Sequence, residues 1–382
     1  MNNSCWQVTA AGGVLVIPEP IDDAVPFVVE PLRPMVRQVL DTAQQLPQLL
    51  ASGNCREACH ALPSADFSTP AAISDPRAAE RLHQAYAFLS NAYLWQPNSE
   101  PTQVLPKALA SPFVQLSTLV QRPPTLSYTD TQLVNWRRID PDGPLTVENL
   151  QTIQVFQSLP DEAWFWRLHI AIEACGGPAV VAGAGAVRSA KEGDRRQLEG
   201  DLETVLDGLQ SIIANARRMT EGCRPEVYFQ TLRPFLFAHP DGVVFEGVDD
   251  FDGELQIFLG QTGAQSSLIP AIAAVLGIRH QRTELTTYLE DVRAYMPGPH
   301  RRFVAGLEGT IVRDLIQGCR GTGSLRDLYN SCVEQLIVFR RLHLGLAASY
   351  IASQMDDPMG TGGTDFMRFL DQMTRETAEQ FL

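Results

Sequence analysis

One histidine lies in the middle of a long apolar stretch. On a 3.6-residue repeat, His343 falls on the apolar face of the segment 324–354. Its neighbours on that face are Leu336, Phe339, Leu346, Ala347 and Tyr350. A buried, neutral imidazole on a rigid helix is what haem iron takes as an axial ligand. A hydrogen-bonded core histidine gives the same pattern, so periodicity leaves both interpretations open.

Two arginines lie one turn before this histidine. Arg340 and Arg341 are close enough along the helix to reach carboxylates at the edge of a porphyrin. A solvated helix face explains the same pair of residues equally well.

A second histidine belongs to an aromatic segment, PDEAWFWRLHIAIEACGG. On its helix face, His169 is accompanied by Phe165, Trp166 and Ile172. Such a face suits a pocket for a flat apolar molecule. The alternative is an aromatic core in which His169 pairs with Glu173, four residues further on.

Arg233 is a lone cation in an apolar segment. Its neighbours are Tyr228, Phe229, Leu232, Phe235 and Leu236. An arginine buried there needs a partner, and the carboxylate of a ligand is one candidate. Snorkelling to solvent or pairing with an internal acidic residue is the other interpretation, and the sequence leaves both open.

Two segments rich in Gly, Ser and Thr precede helices. They are 260–267 (GQTGAQSS) and 360–364 (GTGGT), in which Thr364 is a candidate N-cap. Neither ends in the GK[ST] of a phosphate loop. Each fits a flexible connection or a lid whose backbone closely approaches a ligand. The seven histidines show no HExxH or HxH spacing, and no GxSxG elbow occurs.

Bulk composition limits the function classes. A net charge of −14 disfavours nucleic acids and anionic membranes, because phosphates repel it. Uncharged apolar stretches fall short of the roughly 18 residues that span a bilayer. The N-terminus lacks the basic residues of a secretory signal, and the seven cysteines show no CxxC spacing, which favours reduced thiols. We therefore expect a cytoplasmic protein with no nucleic-acid or membrane partner.

Helical periodicity dominates the chain. We predict helices at 31–50, 78–95, 160–175, 195–219, 225–238, 265–277, 283–295, 300–318, 324–354 and 365–381. Gly176-Gly177-Pro178 is expected to stop the third of them, and the best strand signal, 242–247, is short. The predicted fold is therefore mostly α, with a domain boundary near residue 155.

Several motifs, taken together and in order, resemble the indoleamine 2,3-dioxygenase family. They are VLPKALASPFVQLS, PPTLSYTD, NW, DPDGPLTVENL, GQTGAQSS, AYMPGPHRRF, LRDLYNSCV, FRRLHLGLAASYI and GTGGTDFMRFL. The resemblance runs from about Leu82 to the C-terminus, while the N-terminal residues before it match weakly. So many collinear matches are specific, although no single one would be.

The resemblance implies haem b bound through its iron to His343, with Arg340 near the haem carboxylates. It also implies that Arg233 holds the carboxylate of the substrate. The other substrate contacts that it implies are Tyr128 and Thr131 in the indole pocket, the aromatic pair Tyr228 and Phe229, the stretch Thr262, Gly263 and Ala264 close to the haem, and Thr361 at the amino-acid end of the substrate.

The chain departs from the mammalian members of the family at some positions. His169 stands where those proteins have a serine, which is similar to tryptophan 2,3-dioxygenases and their distal histidine. The resemblance thus makes His169 a residue of the catalytic site and Trp166 a substrate contact. Ala273 replaces an aspartate, and the insertion before GTGGT is shorter.

The implied reaction is cleavage of the indole C2–C3 bond of L-tryptophan with O₂ to give N-formylkynurenine, a step of the kynurenine pathway. Residues 1–155 would form a small, mainly helical domain covering the distal side, and 156–382 a large helical haem-binding domain. Two alternatives stay open: a related haem enzyme acting on another indole or tryptophan derivative, and a non-catalytic haem protein that binds oxygen. Retention of Arg233 and GTGGT favours turnover of an amino-acid substrate.

Overall fold

A computed structural model describes residues 6–16, 19–318, 323–355, 360–361 and 365–382, and within them the fold is mostly α as predicted. The helices are α1 (Arg33–Gln44), α2 (Leu46–Ser52), α3 (Cys55–His60), α4 (Pro76–Leu94), α5 (Lys107–Val120), α6 (Pro160–Cys175), α7 (Gly177–Glu192), α8 (Arg195–Ala216), α9 (Met219–Gly222), α10 (Pro225–Val227), α11 (Leu268–Val275), α12 (Glu284–Val292), α13 (Gly298–Leu307), α14 (Ile311–Gly318), α15 (Gly323–Tyr350) and α16 (Phe366–Ala378).

Strands are few and short, as expected from the sequence. They are β1 (Val104–Leu105), β2 (Arg137–Arg138), β3 (Leu150–Gln151) and β4 (Val244–Phe245). The first pairs in parallel with β4, and the second runs antiparallel to β3. The strand signal at 242–247 is thus confirmed as a two-residue strand.

The N-terminal half of the chain is organised around α4, whose side chains are buried from Ala78 to Leu94. Asp75 caps the helix by accepting from the amide of Arg77, and Pro76 fits its first turn. The surrounding helices are α1, α2, α3 and α5. Of these, α3 and α5 have no counterpart among the helices predicted from the sequence. In α5, Pro112 lies inside the helix and interrupts the helical signal.

In the C-terminal half, α6, α7, α8 and α15 pack side by side, with α16 on α15. As predicted, α6 ends at Cys175 with Gly176 as its C-cap, but the sequence did not predict α7, which begins at Gly177. Pro178 lies in the first turn of α7, where its missing N–H costs nothing. A Cβ atom at Gly177 would come within 2.6 Å of the Ala10 carbonyl oxygen. The first residue of α7 therefore has to be a glycine for close packing against the N-terminal segment.

The stretch Pro160–Glu192, which covers α6 and α7, is long and apolar enough by length and composition to cross a membrane. Inside the protein, however, 67% of its apolar window is buried, as in a core helix. The buried apolar residues form one cluster that extends from Trp6 to Tyr350. The domain boundary near residue 155 stays a prediction.

Replacing Gly177 with Ala should destabilise the protein by about 2 kcal/mol, because the added methyl group overpacks a contact with backbone atoms that cannot turn away. Gly200 in α8 is the matched control, since a Cβ atom there meets nothing within 4 Å. Gly200→Ala should raise the free energy of unfolding by up to about 1 kcal/mol. Urea unfolding measures both changes, and equal effects of the two substitutions would contradict this account.

Candidate active site

His343 lies in the last third of α15 and is surrounded by protein. Burial, and to a smaller extent repulsion from His169, lowers the pKa of His343 to about 4. The residue nevertheless remains open to water-sized molecules. A ring that protein surrounds but that stays accessible is a candidate to line a ligand cleft. Among the described residues, none donates to or accepts from its ring nitrogens, and its ring stacks on Phe339 at 6.1 Å.

His169 belongs to α6 and has a defined tautomer. Its Nδ1 lies 2.8 Å from the Phe165 carbonyl oxygen, which can only accept, so Nδ1 must carry a hydrogen. Burial lowers the pKa of His169 below its ordinary value and keeps the ring neutral. The remaining nitrogen, Nε2, is therefore a hydrogen-bond acceptor. Because His169 contributes to the pKa of His343, the two imidazoles lie within electrostatic reach of each other.

Aromatic rings surround His169. The Phe165 ring lies 4.4 Å from the His169 ring and 4.8 Å from the Tyr228 ring, while Tyr128 is 6.3 Å from His169. Tyr350 of α15 in turn contacts Tyr228 at 5.8 Å. This wall joins α6, the segment around Tyr228 and α15.

Trp166 has no solvent exposure and packs against Phe165 at 5.0 Å. Its Nε1–H donates to Glu162 Oε1 at 3.3 Å, so its polar atom is already used within α6. The predicted substrate contact through Trp166 stays a prediction.

Arg233 is buried on an irregular segment in which α10 is followed by a π-helical turn, Tyr228–Leu232, and a 3₁₀ turn, Arg233–Leu236. The predicted continuous helix over 225–238 is therefore wrong, partly because Pro234 cannot supply an amide hydrogen. The Arg233 guanidinium lies between two rings, 5.1 Å from Phe229 and 4.6 Å from Phe237. Burial lowers the pKa of Arg233, yet an arginine stays charged near neutral pH.

A second π-helical turn, Thr129–Leu133, carries Thr131 and directly follows Tyr128. Buried charges hold this turn in place. Asp130 accepts from His83 at 2.8 Å, from Arg122 at 3.2 Å and from the Ser127 amide at 2.9 Å. Burial opposes ionisation, but His83 and Arg122 hold the pKa of Asp130 well below its usual range.

Two glutamines tie the glycine-rich segment 260–267 to this turn. Gln261 Nε2 donates to Thr131 Oγ1 at 3.2 Å, and Gln265 Oε1 accepts from the Tyr128 amide at 2.8 Å. Within the segment, Thr262 caps the 3₁₀ turn Gly263–Gln265 through its side chain. Ala264 is half-buried, and Gly263 is exposed. Hydrogen bonds thus place Thr262, Gly263 and Ala264 beside the turn that bears Thr131.

Glu173 is the residue that sequence analysis missed. It does not pair with His169, so that alternative is wrong. Instead, Glu173 Oε1 accepts from the Tyr128 hydroxyl and from Ser266 Oγ, both at 2.7 Å. Burial raises the pKa of Glu173 to about 7, although these two hydrogen bonds oppose the rise. Glu173 is 45 positions from Tyr128 and 93 from Ser266 along the chain, so the sequence gives no local signal for these contacts.

Thr361 contacts the same glycine-rich segment, since its Oγ1 donates to the Gln261 carbonyl oxygen. A Cβ atom at Gly260 would lie 2.2 Å from the Thr361 carbonyl oxygen, so only glycine allows this approach. The last three residues of GTGGT, which include the predicted N-cap Thr364, lie outside the described residues. Asp365 caps α16 by accepting from the amide of Arg368.

Arg340 is buried and turned towards the C-terminal helix. Its NH1 donates to the Met373 carbonyl oxygen and to Thr377 Oγ1 of α16. Burial lowers the pKa of Arg340 to about 10, and nearby Glu376 opposes this change. Arg341, by contrast, is exposed. The role of Arg340 towards haem carboxylates stays a prediction.

The structure therefore connects most of the predicted site residues, directly or through one neighbour. One group contains His169, Phe165, Tyr228 and Tyr350, and a second group links Tyr128, Thr131, the segment 260–267 and Thr361. Tyr128 belongs to both groups through its contact with His169. Their roles in binding and catalysis stay predictions.

Comparison with known proteins identifies the family. The sequence model of the family described as indoleamine 2,3-dioxygenase matches residues 28–359. The chain is 30% identical to indoleamine 2,3-dioxygenase 1 of Rattus norvegicus over 96% of this chain and 94% of that protein. The chain belongs to the indoleamine 2,3-dioxygenase family, whose members are haem-dependent dioxygenases that act on indoles.

Two further relatives come from fungi. The indoleamine 2,3-dioxygenase of Saccharomyces cerevisiae is 27% identical over 80% of this chain and 79% of its own length. The 6-hydroxytryptophan 2,3-dioxygenase of Fusarium equiseti is 29% identical over 88% of this chain and 89% of its own length. The names of these relatives thus include more than one indole substrate.

Replacing Glu173 with Gln should remove a pH-dependent penalty on stability. The folded pKa of about 7 exceeds the ordinary value of 4.5, so the wild-type protein loses free energy of unfolding as the pH rises from 4.5 through 7. Glu173→Gln has no such loss. Relative to wild type, it should therefore gain about 3 kcal/mol between pH 5 and pH 8, measured by urea unfolding.

Asp161→Asn is the control on the same helix. A hydrogen bond from Arg224 lowers the pKa of Asp161, so this carboxylate is ionised throughout the range. Its stability difference from wild type should be the same at both pH values. A constant difference for Glu173→Gln as well would show that ionising Glu173 costs the folded state nothing.

Proposed function

We propose that this chain cleaves the indole C2–C3 bond of L-tryptophan with O₂ and releases N-formylkynurenine. The observation that carries the proposal is a pair of imidazoles. His343 on α15 is accessible and has no hydrogen-bond partner among the described residues, and His169 on α6 offers Nε2 as an acceptor beside an aromatic wall. One imidazole suits a metal and the other suits the N–H of an indole. Family membership supplies the reaction type, and these residues support tryptophan as the substrate.

The residues present fit a haem. A neutral imidazole nitrogen is the ligand that haem iron takes. His343 offers one, because burial keeps its ring neutral and no described residue hydrogen-bonds to its ring nitrogens. His343 would hold the iron, and Arg340, one turn earlier, would lie beside the haem edge. Bound haem supplies the O₂ chemistry of the reaction. The protein positions the substrate and excludes water.

Three side chains would orient the substrate. His169 Nε2 would accept the indole N–H, because Nδ1 already donates to Phe165. Arg233 would bind the carboxylate of the amino acid, since a guanidinium between two rings presents its edge to an anion. Thr361, at the glycine-rich segment, would contact the ammonium group. Phe165 and Tyr228 provide apolar surface for the indole ring.

The test is a product assay on purified, haem-loaded protein that has been reduced without air. After O₂ and L-tryptophan are added, N-formylkynurenine should accumulate catalytically. A stable oxygen complex without product would instead make the chain an oxygen-binding protein. A different indole product would also overturn the proposal.

A second candidate is the dioxygenation of a ring-substituted tryptophan. The relative named 6-hydroxytryptophan 2,3-dioxygenase favours it, as does the polar group of Tyr128, Ser266 and Glu173 beside the aromatic wall. Competition between L-tryptophan and 6-hydroxytryptophan, read as relative kcat/KM, decides between the two candidates. We also infer a cytosolic protein, since the cysteines in the described part of the chain are free thiols.

Replacing His343 with Ala should abolish stoichiometric haem binding, because the cleft would lose the nitrogen that ligates the iron. The measurement is the Soret absorbance per mole of protein after reconstitution with haem. His60→Ala is the control, since His60 of α3 lies 2.8 Å from the Tyr93 hydroxyl, outside both groups of site residues, and should leave haem content unchanged. Wild-type haem content in His343→Ala would refute the assignment.

Replacing His169 with Ala should leave haem content unchanged and weaken L-tryptophan binding about tenfold, the effect of one lost hydrogen bond in a desolvated site. The matched ligand is 1-methyltryptophan, which has no indole N–H. Wild-type protein should prefer L-tryptophan over this analogue, and His169→Ala should lose most of the preference. Loss of haem from the variant, or an undiminished preference, would contradict the proposed role.

A further inference from the structure

The carboxyl group of Glu173 is asymmetric in its contacts. Oε1 accepts both hydrogen bonds, from Tyr128 and from Ser266 at 2.7 Å each. Oε2 is buried and has no hydrogen-bond partner among the described residues. The residue as a whole is 2% exposed, so water does not reach the group freely. A buried carboxyl with one unused oxygen is sensitive to its own protonation.

This carboxyl joins three walls of the candidate active site. Glu173 follows His169 by one turn on α6, and Tyr128 stands at the start of the π-helical turn Thr129–Leu133. Ser266 lies in the glycine-rich segment 260–267. Glu173 therefore holds the aromatic wall and this segment to the same helix that positions His169.

Protonation of Glu173 changes the strength of its hydrogen bonds with Tyr128 and Ser266. An ionised Glu173 accepts two charge-assisted hydrogen bonds, which are roughly twice as strong as neutral ones. A neutral Glu173 has a proton of its own to donate, and Oε2 has no acceptor within the described part of the chain. The carboxyl must then leave that proton unpaired or turn away from Tyr128 or Ser266. Either change loosens the segment 260–267.

We propose that Glu173 is a positioning residue whose ionisation couples the glycine-rich segment 260–267 to the wall that carries His169 and Tyr128, so that substrate affinity rises as Glu173 ionises. The coupling to substrate depends on the function proposed above. The coupling between Glu173 and the segment does not.

The titratable groups near Glu173 have pKa values shifted away from the neutral range, so Glu173 is the group that changes charge there. Burial first, and then Glu173 itself, raises the pKa of Tyr128 well above its ordinary value, so the hydroxyl stays a donor. Burial raises the pKa of Cys175 on α6 to about 12 and lowers the pKa of His169. The segment 260–267 presents the uncharged hydroxyl of Ser266, and the N-terminal segment contacts only the backbone carbonyl of Glu173, through Gly13. With a pKa of about 7, Glu173 changes charge between pH 6 and pH 8.

The first test measures the segment itself, in haem-loaded protein without substrate. Hydrogen exchange of the 260–267 amides is compared between wild type and Glu173→Gln at each pH from 6 to 8.5. The protection of wild type relative to Glu173→Gln should increase with pH, by about tenfold over the range. A ratio that is independent of pH would overturn the proposal.

The second test measures L-tryptophan binding by the change in the Soret band. The Kd of wild type should fall about tenfold from pH 6 to pH 8.5, whereas the Kd of Glu173→Gln should stay constant. Ser266→Ala guards against misfolding of the first variant. Since the Ser266 hydrogen bond lowers the pKa of Glu173, its loss should move both transitions to higher pH. An unmoved transition would assign the titration to another group and overturn the proposal.

The two tests separate this inference from the proposed function. A pH-dependent exchange ratio with no tryptophan binding at any pH would refute the proposed substrate while the coupling stands. Binding of tryptophan with a flat exchange ratio would refute the coupling while the proposed substrate stands.

Discussion

Removal of water from the two histidines is the constraint that shapes the candidate active site. An imidazole that ligates iron must be neutral, and the protein around α15 lowers the pKa of His343 to about 4. The same desolvation keeps His169 neutral, and its hydrogen bond to Phe165 fixes which nitrogen is the acceptor. Two neutral rings with different tasks thus follow from one physical cause. Around His169, the rings of Phe165 and Tyr128 pack against the imidazole.

Such an apolar cleft imposes a cost on every polar group in its wall, because buried donors and acceptors need partners. In this chain, hydrogen-bond partners around the site satisfy most of these buried polar groups. Asp130 is held by His83, Arg122 and Ser127, and the glutamines of the segment 260–267 bond to Thr131 and Tyr128. Glu173 differs because only one of its oxygens has a partner within the described residues. The site is thus rigid where its polar groups are satisfied and responsive at this carboxyl.

Family membership and local structure contribute different parts of the functional account. The family supplies haem dependence and the dioxygenase reaction on an indole. The chain's own residues supply His169, a histidine of known tautomer, and a buried carboxyl, Glu173, one turn further along α6. The glycine at 260 adds a close approach to Thr361 that any larger residue would prevent. These features distinguish how this member would hold its substrate.

The sequence alone determined the fold class, most helices and the family. Amphipathic spacing is a local property, so α4, α8 and α15 could be predicted from the residues within them. Local rules failed where packing overrides propensity. The sequence did not predict α7, which begins at Gly177 against the Ala10 backbone, and α5 forms despite Pro112. The segment around Arg233 breaks into π and 3₁₀ turns where a continuous helix was predicted.

Only the tertiary structure decided the partners of the buried polar groups. His169 and Glu173 lie four residues apart on α6, a spacing that favours a pair. Glu173 instead bonds to Tyr128 and Ser266, because their hydroxyl groups come from distant parts of the chain to the same buried position. The desolvation that lowers the pKa of His343 and raises that of Glu173 likewise comes from elements brought together by folding. Sequence spacing describes which residues share a helix face, whereas burial and charge depend on what that face meets.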